Sequence, residues 1–356
     1  MGRIEQELVR KSERCMTSPG ETKTPARTGI GVEIVGSGMA LPSRRVTNDD
    51  LAKFVDTSDE WIVQRTGIRS RYLLGDDQTI EGIAGDAVKS ALAAAGLEPG
   101  DLDLLICAST RPDFLCPALA CRVVEQVGAI PCGAFDLNVA CSGFLAALGV
   151  GESMIRSGSY RTIAVVGAEA LSRVVNWEDR RTCVLFGDGA ACAILKASDD
   201  SSKGILYQRL HSDAERGRAL YLPEEQGQIP PGEEERYNGK LGTLQMNGAS
   251  VYKFAVQILA DSVENALDAV GMTSDDISMV IPHQSNIRML QSSWKRLGFN
   301  EDKILINIDK YGNTGAASCG ICLHECIATG RVKPGDKVVF VAQGGGLSWG
   351  ASVWQL

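Results

Sequence analysis

Two stretches of this 356-residue chain lie over one another without a gap. Asp86-Ala87-Val88-Lys89-Ser90-Ala91-Leu92-Ala93-Ala94-Ala95-Gly96-Leu97 leads through Asp101-Leu102 into Leu104-Leu105-Ile106. Asp261-Ser262-Val263-Glu264-Asn265-Ala266-Leu267-Asp268-Ala269-Val270-Gly271-Met272 leads through Asp276-Ile277 into Met279-Val280-Ile281. Asp, Val, Ala, Leu, Ala, Gly, Asp and Ile coincide at one offset of 175 residues, Gly96 onto Gly271 and Ile106 onto Ile281. A shared helix stop, loop length and strand argue for duplication. The length suffices for two alike halves, each with its own core.

The copies continue. Cys141 lies 35 residues beyond Ile106 and Asn313 lies 32 beyond Ile281, each at a strand-to-helix junction with small residues behind it. The first copy ends on the strand Thr162–Gly167, and the second on the glycine-rich run Val338–Gly346. Helical patterns alternating with nearly all-apolar strands predict a layered α/β protein whose sheets are covered by helices. The halves would share a central helix layer and form a site where they meet. The boundaries read as an extension and linker over 1–30, a first half over 31–205 and a second over 206–356. The stretch 213–241, rich in Pro and Glu, is too long for an ordinary connection and reads as a cap over a site or a mobile linker.

A formal charge of −8 argues against general nucleic-acid or membrane-surface binding. No apolar run approaches the ~18 residues of a membrane span. Residues 1–30 lack the apolar core of a signal peptide and carry glutamates unlike a transit peptide, so a cytoplasmic location is expected. Eleven cysteines scattered through apolar context fit reduced thiols, not a disulfide framework.

Among these thiols Cys141 stands apart. The run Ala134 to Gly149 begins strand-like, breaks at Cys141, and continues with the helical spacing Phe144, Leu145, Leu148. A thiol at a helix N-terminus faces unpaired N–H groups and the positive end of the dipole, which favour thiolate. Free cysteine more often fills a core, so its partners decide. His283 stands where the strand Val280-Ile281-Pro282 ends, and Asn313 precedes another small-residue helix. Either alone reads as a structural histidine or a helix cap. Together with Cys141 at equivalent strand ends, they describe one convergent site.

Six motifs follow in order: Asp56-Thr57-Ser58-Asp59-Glu60-Trp61-Ile62 with Arg65-Thr66-Gly67-Ile68, Ala140-Cys141-Ser142-Gly143-Phe144, Phe186-Gly187-Asp188-Gly189-Ala190, Pro282-His283-Gln284-Ser285-Asn286-Ile287-Arg288, Gly312-Asn313-Thr314, and Gly344-Gly345-Gly346-Leu347-Ser348-Trp349-Gly350. With them, residues 31–356 resemble the β-ketoacyl-acyl carrier protein synthase III family. The resemblance implies a thiolase-like fold of two duplicated βαβαβαββ halves in an α-β-α-β-α sandwich, and a homodimer without cofactor or metal.

It also implies a reaction. Cys141 thiolate takes an acyl group from an acyl-CoA primer. Malonyl-acyl carrier protein then loses carbon dioxide, and neutral His283 with the Asn313 amide steadies the enolate. The carbanion attacks the Cys141 thioester, its oxyanion held by the N–H groups of Cys141 and Gly345. The product, a 3-oxoacyl-acyl carrier protein, initiates fatty-acid synthesis. Asparagine at 313 suits this, since a carboxylate there would repel the enolate.

By the same resemblance Trp61 and Arg180 sandwich the CoA adenine, and Thr57 and Arg65 supply polar and phosphate contacts. Asn286, Arg288 and Lys253, with Lys295 and Arg296, meet the phosphopantetheine arm or the acidic carrier, a local basic rim suited to electrostatic steering. Tyr252, Gln343 and Cys116 belong to the acyl pocket. Gln343 stands where the family commonly has an aromatic residue, and Cys116 where a bulky residue narrows the pocket across the dimer. Both predict an acyl pocket that is roomier or differently shaped than one for acetyl-CoA.

Other readings compete. Cys319, Cys322, Cys326 and His324 have the makings of a metal cluster, but the cysteines fall on one helix face, ordinary for a core and awkward for a tetrahedral ion. A polyketide-type ketosynthase or an acyltransferase with another acceptor keeps the acyl-Cys141 step. A catalytically silent scaffold for a carrier protein fits least with Cys141, His283 and Asn313 intact.

Overall fold

A computed structural model describes residues 29–235, 237 and 240–356. The expected extension therefore lies, but for its last two residues, outside the described part. Strands β1 (Gly31–Ala40), β2 (Leu104–Ala108), β3 (Gly133–Leu137), β4 (Thr162–Glu169) and β5 (Gly189–Ser198) form one sheet in the order β1-β5-β4-β2-β3. Strands β6 (Gly204–Ser212), β7 (Met279–Pro282), β8 (Lys337–Gly344) and β9 (Ser348–Gln355) form a second in the order β7-β8-β9-β6.

Corresponding strands take corresponding places, so one strand order is used twice. In the first sheet β4, β2 and β3 run parallel, with β5 antiparallel between β4 and β1. In the second, β7 and β8 run parallel, with β9 antiparallel between β8 and β6. The second copy departs from the strict repeat at one place. Its equivalent of β3 is reduced to a single bridge between Val280 and Ile304. The chain beyond is held by a side chain: Gln284 Oε1 accepts from the N–H groups of Asn307 (3.0 Å) and Ile308 (3.2 Å).

The helices of eight or more residues are α1 (Asp59–Thr66), α2 (Ile80–Ala95), α3 (Leu119–Val127), α4 (Gly143–Arg156), α5 (Gly248–Val270), α6 (Ile287–Leu297) and α7 (Ala317–Ala328). The repeat read from sequence appears here residue for residue. α2 stops at Gly96 and α5 at Gly271, each with φ of +65°, the left-handed turn that glycine makes without strain. A single 3₁₀ turn follows each, Pro99–Asp101 and Ser274–Asp276, and then β2 and β7 begin.

α4 and α7 lie between the sheets. Phe144, Leu145 and Leu148 from α4 share one core with Cys322 and Leu323 from α7, Ile106 and Val165 from the first sheet, and Ile281, Phe340 and Trp354 from the second. Each such fully buried apolar side chain contributes ~1.5–3 kcal/mol. α2 and α3 cover the first sheet's outer face, and α5 and α6 the second's. This is the expected α-β-α-β-α sandwich. It sets β3, β7 and the N-terminal ends of α4 and α7 at the junction of the halves.

Candidate active site

Cys141 sits in the 3₁₀ turn Ala140–Ser142 that joins β3 to α4. Ala140 has φ of +45°, alone among the described non-glycine residues in taking a positive value. Such a conformation costs ~1–3 kcal/mol and persists only when the surroundings hold it. Here Asn138 does so: its Oδ1 accepts from the Ala140 N–H at 3.0 Å, while its Nδ2 donates to the Thr110 carbonyl at 3.0 Å. Gly344 on β8 passes close behind, where an added Cβ would meet Cys141 N at 2.8 Å and its Cβ at 2.9 Å.

His283 follows β7, its N–H bonded to the Val341 carbonyl at 2.8 Å. Asn313 stands on the loop before α7. Its backbone is tied to Leu185 and Gly187, and its Oδ1 accepts from the Gly315 N–H at 2.9 Å, so its Nδ2 is left to donate. Cys141, His283 and Asn313 line one cavity of 410 Å³, together with Trp61, Arg180 and Gln343. Cys141 also lines a second cavity of 390 Å³, with Leu171, Leu222, Leu244 and Gly345. Phe186 and Leu220 wall both, so the insertion over 213–241 contributes directly to the site.

The electrostatics correct one expectation. Burial, with Glu169 adding to it, pushes the Cys141 thiol up to about 12, not down. A helix end is worth ~0.3–1 kcal/mol, ~2 at most, whereas a three-unit rise corresponds to about 4 kcal/mol. Burial wins, and the sulfur is a thiol. The same burial pushes His283 down to about 3, so its imidazole is neutral.

Below pH 6.5 the unfolded chain binds a proton at this histidine that the folded chain refuses. Stability therefore falls with pH through this group. The unfolding free energy of the native chain minus that of His283→Ala is expected to drop by about 2 kcal/mol from pH 7 to pH 5. Urea titrations at the two pH values check this; a constant difference would contradict it.

Two family models match, 3-oxoacyl-[acyl-carrier-protein] synthase III over residues 135–214 and its C-terminal part over 267–356. The chain is 44% identical over 324 residues to the β-ketoacyl-[acyl-carrier-protein] synthase III of Caldanaerobacter subterraneus subsp. tengcongensis, covering 91% of this chain and 97% of the relative. It belongs to the 3-oxoacyl-acyl carrier protein synthase III family. Among solved structures it is similar to the synthase III of Aquifex aeolicus, at a TM-score of 0.85 and 40% identity over 92% of this chain and all of that one. It is also similar to the priming β-ketosynthase of the R1128 polyketide pathway, at 0.84 and 30% over 95% of this chain and 99% of that one. The protein is thus a condensing acyltransferase of fatty-acid initiation.

In this synthase III the remaining expected residues divide. Arg65, Tyr252, Asn286 and Arg288 line the first cavity. Asn286 caps α6 through the Arg288 N–H and donates to the Arg65 carbonyl at 2.9 Å, joining α1 to α6. Trp61 and Arg180 are not an open sandwich. The Arg180 guanidinium lies 5.1 Å from the Trp61 ring centre and is held by Asp56, while Arg65 lies over the same ring at 4.4 Å. A ring between two others needs ~3.5 Å on each side, so the 5.1 Å gap as it stands is too narrow for the expected sandwich.

Thr57, Lys253 and Cys116 line neither cavity. The Thr57 Oγ1 is buried without a partner, and Lys253 is exposed beside Tyr252. Cys116 is exposed because its loop, with Phe114 and Leu115, runs out to the surface. Arg296 is tied to Asp261 and Glu264, which removes it from the expected basic rim. Gln343 is buried in the cavity wall, its Nε2 donating to Ser285 Oγ at 3.2 Å and its Oε1 unpaired.

The cysteines of α7 face the core, Cys322 Sγ lying 3.4 Å from Asn307 Oδ1, while His324 pairs with Ser37 away from them. Among the described residues no helix is long and apolar enough to cross a membrane. Two features escaped the sequence reading. One is the second cavity, whose walls come from eight separate segments. The other is Glu169, a lone carboxylate ending the apolar run of β4, which was the signal available.

Proposed function

We propose that the enzyme works by a ping-pong route in which Cys141 carries the acyl group between an acyl-CoA and malonyl-acyl carrier protein. The observation that supports this most is the meeting of Cys141, His283 and Asn313, from three separate segments of the chain, in one cavity. In the first half-reaction the Cys141 sulfur attacks the thioester carbonyl, and its proton leaves with the CoA sulfur as that carbon–sulfur bond breaks. Cys141 then holds the acyl chain, which extends into the second, largely apolar cavity. The N–H groups of Cys141 and Gly345 receive the tetrahedral oxyanion.

In the second half-reaction the malonyl carbon–carbon bond breaks, carbon dioxide leaves, and the electron pair moves onto the thioester as an enolate. His283 and the Asn313 Nδ2 donate to the enolate oxygen. His283 Nδ1 is buried without a partner, so the donating nitrogen is Nε2. The enolate carbon bonds to the acyl carbon, the carbon–sulfur bond breaks, and the Cys141 sulfur takes up a proton from water, its first having left with CoA. Trp61, Arg180, Arg65 and Arg288, at the cavity's rim, would meet the nucleotide and phosphate end of CoA or the carrier's phosphopantetheine arm. Thr57 and Lys253 join them only if the rim rearranges.

The exposed Phe114-Leu115-Cys116 loop is the surface we assign to a second copy of the chain, which would bring Cys116 to its partner's acyl cavity. A polyketide-type priming role is the second reading. It is favoured by Gln343 in the cavity wall and by the similarity to the R1128 priming ketosynthase.

The test is release of carbon dioxide from malonyl-acyl carrier protein by the purified enzyme with acyl-CoA primers of graded length. Release that depends on both substrates is expected. Acyl transfer to other acceptors without carbon dioxide release would overturn the condensation reading.

A further inference from the structure

Glu169 ends β4 fully buried, and among the described residues no cation pairs with it. Burial, with the charge of Asp188 adding to it, pushes its carboxyl up to about 7. Its facing titratable groups are Asp188, Cys141 and Cys107. Asp188 is itself occupied by Ser172 and the Leu74 N–H, with Arg173 beyond it. A carboxylate in such a place raises the thiol's pKa and opposes thiolate. Its value to the site therefore lies elsewhere, in what it holds.

Its Oε1 accepts three bonds, from the Thr110 N–H (3.1 Å), the Thr110 hydroxyl (2.6 Å) and the Ala316 N–H (3.1 Å). Its Oε2 lies 3.2 Å from the Thr110 N. Ala316 belongs to the loop whose turn is closed by Asn313 Oδ1 on the Gly315 N–H. That loop fits so closely that a Cβ on Gly315 would lie 2.7 Å from Glu169 Oε1. On the other side the Thr110 carbonyl receives Asn138 Nδ2, and Asn138 Oδ1 holds the Ala140 N–H next to Cys141.

We propose that Glu169 is a positioning residue for condensation: one buried carboxylate clamps the Asn313–Ala316 loop to the Thr110–Asn138–Ala140 chain. It thereby sets the distance between the enolate donor and the acyl-bearing sulfur. This rests on the roles given above to Cys141 and Asn313. Without an acceptor at 169, three buried donors lose their partner and the loops lose their common anchor. A displacement near 1 Å in such a site costs ~10²-fold in rate.

The experiment compares Glu169→Ala and Glu169→Gln, with kcat expressed per Cys141 thiol titrated by brief acylation with acyl-CoA and counted by intact mass. Glutamine keeps an acceptor oxygen for the three donors, and alanine keeps none. For Glu169→Ala, kcat of condensation per titrated thiol is expected to fall ~10²-fold, with KM for acyl-CoA within about twofold of native. Glu169→Gln should regain most of the loss.

A merely structural role would lower the number of titratable thiols and leave kcat per thiol alone. That result, or a glutamine variant as slow as the alanine one, would overturn the proposal. Should the alanine variant not fold, Thr110→Val, which removes one donor and keeps the carboxylate, is expected to lose ~10-fold in kcat per thiol. Native kcat per thiol in it would overturn the proposal equally. Failure of the native enzyme to acylate at Cys141 would instead strike the functional reading on which this rests.

Discussion

Cys141→Ala is expected to lower condensation by ~10⁴-fold or more, with the fold and substrate binding retained. The alanine removes the atom that carries the acyl group between two substrates, so no partial route survives through the same site. The change removes only a sulfur that faces a cavity, which leaves the packing of α4 through Phe144, Leu145 and Leu148 in place. Unfolding temperature close to native, together with absent turnover, is the expected pair of results. Turnover within ~10-fold of native would mean that another group bears the acyl chain.

Asn313→Asp and His283→Ala should separate the two half-reactions. Neither side chain carries the acyl group, so Cys141 still becomes acylated in both variants. Condensation needs both donors on the enolate oxygen, and losing one such donor costs ~10²–10³-fold. Asn313→Asp is expected to be the more severe, because it replaces a donor by a carboxylate facing developing negative charge. The Asn313 Oδ1 bond to the Gly315 N–H can persist in the aspartate, which keeps the loop in place. Release of carbon dioxide from malonyl-acyl carrier protein by the pre-acylated variants measures the loss directly. Native release by Asn313→Asp would exclude Asn313 as a donor.

Much of the fold could be read from the chain because the repeat is written in local signals. Gly96 and Gly271 stop helices at equivalent points, and the strands Leu104–Ala108 and Met279–Pro282 start at the same offset. The candidate site residues were readable for a related reason: Cys141 and His283 follow strands, whereas Asn313, expected at a strand end, follows the short helix Ile308–Tyr311. What stayed hidden depends on contacts far apart in sequence. The thiol's upward shift arises from burial by segments such as Gly344 and from Glu169, none of them neighbours of Cys141 in the chain. Glu169 finds Thr110 and Ala316 across 59 and 147 residues. Beyond the single bridge at Ile304 the chain is held by the Gln284 side chain, which no periodicity reports. Arg180 folded onto Trp61 because Asp56 holds it there, a contact across 124 residues.

The intact mass of the enzyme after brief exposure to an acyl-CoA, with malonyl-acyl carrier protein withheld, tests the central claim most directly. One acyl group per chain is expected, found on the peptide that contains Cys141, absent from Cys141→Ala, and discharged when malonyl-acyl carrier protein is added. An unmodified mass, or an acyl group on any other residue that the carrier discharges, would contradict the account.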